Sequence, residues 1–156
     1  MIIYLVAVGN NMPRWVTEGY EEYASRLRQE VQLRLIEIPP QSRPKRADTK
    51  RVLKEEGARL LKAIPKNTLV VGLDPRGVAL DTERLSQRLE QWMQMGQDVA
   101  LLIGGPEGFS DEVKAHFQEM ISLSKLTLPH PLVRVLVAEQ LFRSWSILHN
   151  HPYHRA

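Results

Sequence analysis

A chain of 156 residues, 43% apolar and 25% charged, has the size and composition of one globular domain, which excludes a disordered tail and a fibrous or low-complexity chain. It has no cysteine, hence no disulfide, thiolate nucleophile or Cys-ligated zinc, and no apolar run reaches the ~20 residues of a membrane helix. The formal charge of +3 is unevenly spread: residues 43–66 hold 9 basic against 3 acidic side chains and 125–156 hold 4 against 1, flanking an acidic stretch with 4 against 9. Two basic zones point to a nucleic-acid partner. A solvated helix face is the plainer account of Arg43, Lys45, Arg46, Lys50, Arg51 and Lys54.

Ile2 to Val8 is apolar and β-branched, with no basic stretch before it and no small-residue cleavage site after it, so it reads as a buried strand and not as a signal peptide. The cytoplasm is the expected location. Beyond Met12-Pro13, the helical spacing of Val16, Tyr20, Tyr23 and Leu27 predicts a first helix. Val31, Leu33 and Leu35 alternate with polar residues up to Ile38, a second strand halted by Pro39-Pro40. Leu53, Leu60, Leu61 and Ile64 form the stripe of a helix from about Ala47 to Ile64. Leu69 to Leu73 is a third strand ending in the turn Asp74-Pro75-Arg76-Gly77.

Asp81 or Thr82 caps a helix with Leu85, Leu89, Trp92 and Met93 inward, and Gly96 suits its C-terminus. Val99 to Ile103 is a fourth strand that runs into Gly104-Gly105-Pro106-Glu107-Gly108, after which Ser110 caps a short helix through Phe117. A fifth strand is predicted near Leu123 to Leu128, broken by Pro129-His130-Pro131, and a last helix from about Leu132 to His149. Five strand–helix repeats predict an α/β domain, residues 1–156, with a mostly parallel sheet flanked by helices. Ligands of such sheets bind at the carboxyl ends of strands, which singles out the loops after Leu73, Ile103 and Leu128.

The glycine-rich loop matches neither the dinucleotide fingerprint nor a phosphate-binding loop, whose lysine is absent, and no nucleophile elbow occurs. It offers backbone groups without side-chain obstruction, suited to a neutral or cationic adenosyl ligand; an ordinary tight turn is the bland alternative. His149, His151 and His154 could ligate a metal, but no acidic or Cys ligand stands beside them. The last helix is apolar on more than one face, so it is either central or shared with another subunit.

Leu101–Gly108, Leu123–Pro131, Arg134–Arg143 and the ending His151-Pro152-Tyr153-His154-Arg155, with Val6–Gly9 and Ile36–Pro39, together resemble the ribosomal large-subunit methyltransferase H family of the SPOUT superfamily. The resemblance covers the whole chain. It implies a C-terminal trefoil knot, a homodimer, S-adenosylmethionine as cofactor and no metal. The implied reaction is methylation of N3 of a pseudouridine in 23S rRNA on the assembled ribosome. By resemblance the cofactor contacts fall on Leu73, Gly104, Gly105, Ser124, Lys125, Leu126, Thr127, Leu128 and Pro129. His130, His154 and Arg155 are the expected catalytic groups, and Tyr153, His154 and Arg155 the expected substrate contacts. Without a separate RNA-binding domain, recognition falls to the dimer surface, including the Arg43 to Lys54 patch. Two other readings remain: a non-catalytic RNA- or ribosome-binding module, which would not bind S-adenosylmethionine, and an adenosyl-dependent enzyme acting on a small molecule without ribosomes.

Overall fold

A computed structural model describes residues 1–41 and 48–155. Arg43, Lys45, Arg46 and Ala47 of the basic stretch lie outside the described residues, as does Ala156. The elements in chain order are β1 (Ile2–Val8), α1 (Arg14–Ala24), β2 (Gln32–Ile38), α2 (Thr49–Ala63), β3 (Thr68–Ala79), α3 (Thr82–Met95), β4 (Asp98–Ile103), α4 (Asp111–Lys114), β5 (Glu119–Ser122) and α5 (His130–Leu148), with a 3₁₀ turn at Pro152–His154. The five strands form one sheet in the order β2-β1-β4-β3-β5, and every pairing is parallel, as the alternation of strands and helices predicts.

Side-chain alternation along the strands builds a core on each face. Ile3, Leu5 and Ala7 of β1 join Leu101 and Ile103 of β4 under α1, α3 and α5, where Trp92 is wholly buried. Val6 and Val8 join Ala100 and Leu102 on the other face under α2 and α4, with Leu60, Phe109 and Val113. No helix of the described residues is long and apolar enough to cross a membrane.

The caps follow sequence logic. Asp48 accepts a hydrogen bond from the Lys50 amide at 3.0 Å, and Asp81 accepts one from the Arg84 amide at 2.8 Å. Gly96 ends α3 in the left-handed region at φ +67°. Helix α5 lies against both α1 and α3, and none of its residues is fully exposed. It approaches α1 so closely that a Cβ on Gly19 would stand 3.2 Å from Val135 Cγ1.

Several boundaries differ from the sequence reading: α4 ends at Lys114 and not at Phe117, and three more differences bear on the site. The fifth strand is Glu119–Ser122, not Leu123 to Leu128, because Met120 and Ile121 pair with β3 while the following segment is tied into turns by its own serines. The predicted turn at Asp74–Gly77 is a register shift within a longer β3, which resumes pairing at Val78. Helix α5 begins at His130, two residues early, because Pro131 lies in the first turn, where its missing N–H costs nothing.

Candidate active site

The register shift within β3, the carboxyl end of β4 and the segment after β5 enclose a cleft of about 460 Å³, within the size range of small-molecule sites. Leu73, Asp74 and Pro75 line it from β3, and the Gly104–Gly108 loop with Phe109 lines it beyond β4. Leu123, Ser124, Leu126, Leu128, Pro129 and His130 close it, with Val133 of α5. The walls are mostly apolar, and backbone is bare along the glycine loop.

That loop is held by its own backbone. The Gly108 amide donates to the Gly105 carbonyl at 3.0 Å, and Gly108 takes φ +80°. A Cβ on Gly104 would lie 2.7 Å from the Gly108 carbonyl oxygen, so only glycine fits there. A Cβ on Gly105 would make ordinary contacts with Val8 and the buried Glu56 instead. Across the cleft, the Ser122 hydroxyl donates to the Ser124 carbonyl at 3.0 Å and the Ser124 hydroxyl accepts from the Leu126 amide at 2.9 Å. Those turns leave Leu126 73% exposed at the rim.

Asp74 is buried at the cleft wall. Its carboxylate accepts from Arg76 Nε at 3.0 Å, Nη2 at 3.1 Å and the Arg76 amide at 2.9 Å. The guanidinium hydrogen bonds hold its pKa below the ordinary 3.8, so the group is a carboxylate at neutral pH. Sequence reasoning saw Asp74 only as a turn residue. An acid followed two positions later by arginine at a strand end was the available signal.

His130 is the first residue of the 19-residue α5, where the helix dipole is positive. One turn on, the buried Arg134 donates to Glu37 Oε2 at 2.7 Å and to the Gly9 carbonyl at 2.8 Å. This clamp ties the start of α5 to the ends of β1 and β2.

The tail is docked. The His151 amide donates to the Ser146 carbonyl at 2.8 Å, and the Tyr153 hydroxyl donates to Glu139 Oε1 at 2.9 Å. The Tyr153 ring lies 4.6 Å from that of Phe142, and the Arg143 guanidinium stacks 4.9 Å from it. Burial, reinforced by the Glu139 hydrogen bond, pushes the Tyr153 phenol up to about 12, which keeps it protonated at neutral pH. His149 contacts the Trp145 carbonyl through Nδ1 at 2.9 Å and Glu30 through Nε2 at 3.0 Å, while His151 Nδ1 accepts from the Tyr153 amide at 3.2 Å.

The structure therefore brings together Leu73, Gly104, Gly105, Ser124, Leu126, Leu128, Pro129 and His130. Lys125 and Thr127 belong to the same loop but are exposed outside the cleft lining. Tyr153, His154 and Arg155 do not line the cleft of their own chain. Their anchor Glu139 is nine residues along α5 from His130, about 14 Å at the helical rise.

A family model described as "Predicted SPOUT methyltransferase" matches residues 1–154. A protein of Thioalkalivibrio sulfidiphilus (strain HL-EbGR7) named ribosomal RNA large subunit methyltransferase H is 55% identical over 155 residues, 99% of this chain and 99% of its own. A protein of Methylococcus capsulatus (strain ATCC 33009 / NCIMB 11132 / Bath) with the same name is 51% identical over 155 residues, 99% of this chain and 100% of its own.

Proposed function

The chain belongs to the SPOUT methyltransferase family, and from that premise we propose that it uses S-adenosylmethionine to methylate N3 of a pseudouridine in the 23S rRNA of the assembled ribosome. The observation that carries the reading is the cleft. Eight of the residues singled out from the sequence converge there from β3, the loop after β4 and the segment after β5, around a volume suited to one adenosyl ligand. The apolar walls suit an adenosine and a methionyl chain, and the only ionisable lining groups among the described residues are Asp74 and His130. The ribosome as substrate makes the cytoplasm the proposed location, and the trefoil knot of the family belongs to the same reading.

S-adenosylmethionine, held by Leu73, the Gly104–Gly105 backbone, Ser124, Leu126 and Leu128, would supply an activated sulfonium methyl group for N3, with the C–S electron pair staying on sulfur. Little side-chain chemistry is then required. The protein aligns N3 with the methyl group and lets the imide proton depart. His130, at the positive end of α5, is placed to stabilise the imide anion. Tyr153, kept neutral, serves as a hydrogen-bonding group and not as the base.

The proposed active species is a homodimer. Leu132 and Leu136 of α5 remain half-buried, and Trp15 of α1 is 56% exposed one turn before Gly19, where α1 meets α5. A second copy seated on that face offers its own His154 and Arg155 to the cleft, which a single chain's tail lies too far along α5 to serve. The exposed Lys50, Arg51, Lys54 and Arg59 of α2 suit the phosphate backbone. The test is transfer of labelled methyl to ribosomes, to free rRNA and to neither. Labelling of ribosomes is expected. Salt-sensitive RNA binding without S-adenosylmethionine binding would favour a non-catalytic module, and turnover without ribosomes a small-molecule enzyme.

A further inference from the structure

The cleft contains one acidic side chain among its described lining residues, and its position has a consequence for which ligands it retains. The Asp74 side chain is 5% exposed, while the Arg76 side chain that pairs with it is 69% exposed. The two halves of this ion pair are therefore solvated very differently. Water screens the exposed guanidinium, whereas Asp74 lies buried in the lining of a mostly apolar cavity, where a charge is screened far less, and Lys114 is the second cation whose field reaches it. A fixed negative charge in such a place favours a cationic occupant.

The reaction proposed above changes the charge of its cofactor by one unit. When the C–S bond breaks and its electron pair stays on sulfur, the sulfonium becomes a neutral thioether, while the amino acid end of the molecule keeps its ammonium and carboxylate. We propose that Asp74 is a specificity-determining residue through which the cleft holds the cationic sulfonium and releases the neutral thioether product. The inference rests on the reading of the cleft as the S-adenosylmethionine site. The competing role for Asp74 is purely structural: its carboxylate accepts from the Arg76 amide and stabilises the irregular stretch of β3 between Leu73 and Val78. A structural role would weaken both ligands alike when removed, and this separates the two.

The experiment is titration calorimetry of the full-length protein with S-adenosylmethionine and with S-adenosylhomocysteine, for the wild type, Asp74→Asn and Arg76→Gln. Asp74→Asn should lose about tenfold in affinity for S-adenosylmethionine and less than twofold for S-adenosylhomocysteine. Equal loss for both ligands, or no loss for either, would overturn the assignment. Arg76→Gln keeps the carboxylate and removes its counter-ion, so its preference for the sulfonium over the thioether should widen; an unchanged or narrower preference would overturn the assignment even if Asp74→Asn did not fold. A wild type that bound neither ligand would refute the cofactor reading of the cleft itself, a result distinct from a shared loss in the variants.

Discussion

Deleting residues 151–156 removes a docked element, and its cost can be worked from the contacts. The Tyr153–Glu139 hydrogen bond is charge-assisted and contributes roughly 1.5–3 kcal/mol. The ring contact with Phe142 adds about 0.5–1.5 kcal/mol. The entropy that the freed residues regain offsets much of this, so the net loss should be at most about 2 kcal/mol, lowering the melting temperature by no more than roughly 4–8 °C in a chain of this length. The fold should survive, since domains usually have about 5–15 kcal/mol in hand. S-adenosylmethionine affinity should stay within about twofold, because none of the described tail residues lines the cleft of its own chain. Methyl transfer to ribosomes should fall by a hundredfold or more, the loss expected when groups aligned on the target base are removed. Melting, calorimetry and transfer measured on one truncated preparation decide the matter. Near-normal transfer would refute the role of the tail, and collapse of cofactor affinity would show that it supports the cleft instead.

Three further outcomes are expected. Gly104→Ala puts a Cβ 2.7 Å from the Gly108 carbonyl oxygen, so the loop must shift at a cost of about 1–3 kcal/mol, and calorimetry should find at least tenfold weaker cofactor binding; unchanged binding would remove this loop from the site. Arg134→Met leaves the Gly9 carbonyl and Glu37 without their buried partner, and denaturant unfolding should register a loss of about 2–4 kcal/mol, at the lower side for a buried ion pair because Glu37 is partly exposed; a change below 1 kcal/mol would contradict the clamp. Leu136→Glu should convert a dimer into monomers by sedimentation at micromolar concentration without abolishing cofactor binding, whereas a wild-type monomer would refute the proposed interface.

Strands buried on both faces read plainly in the sequence because their apolar runs are continuous, as in Val99 to Ile103, and α3 was bounded by Asp81 and Gly96 for simple capping reasons. The fifth strand was misplaced because Leu123, Leu126 and Leu128, a short apolar stretch before Pro129, line a cavity instead of pairing in the sheet, a use of apolar side chains that a short run does not distinguish. The clamp made by Arg134 was invisible, since its partners Gly9 and Glu37 are remote in sequence. Asp74 was hidden for a related reason: a turn acid and a cavity acid look identical until the strands are paired. The docking of the tail turns on Tyr153 meeting Glu139 and Phe142, although the tail's composition resembles that of a frayed end.

The account is tested most directly by incubating ribosomes that lack the modification with the protein and S-adenosylmethionine, then analysing the nucleosides of their 23S rRNA by mass spectrometry. It predicts one new methyl group, on N3 of a pseudouridine, which is absent when Gly104→Ala replaces the wild type. Methylation of any other nucleoside, or none with a protein that binds the cofactor, would contradict it.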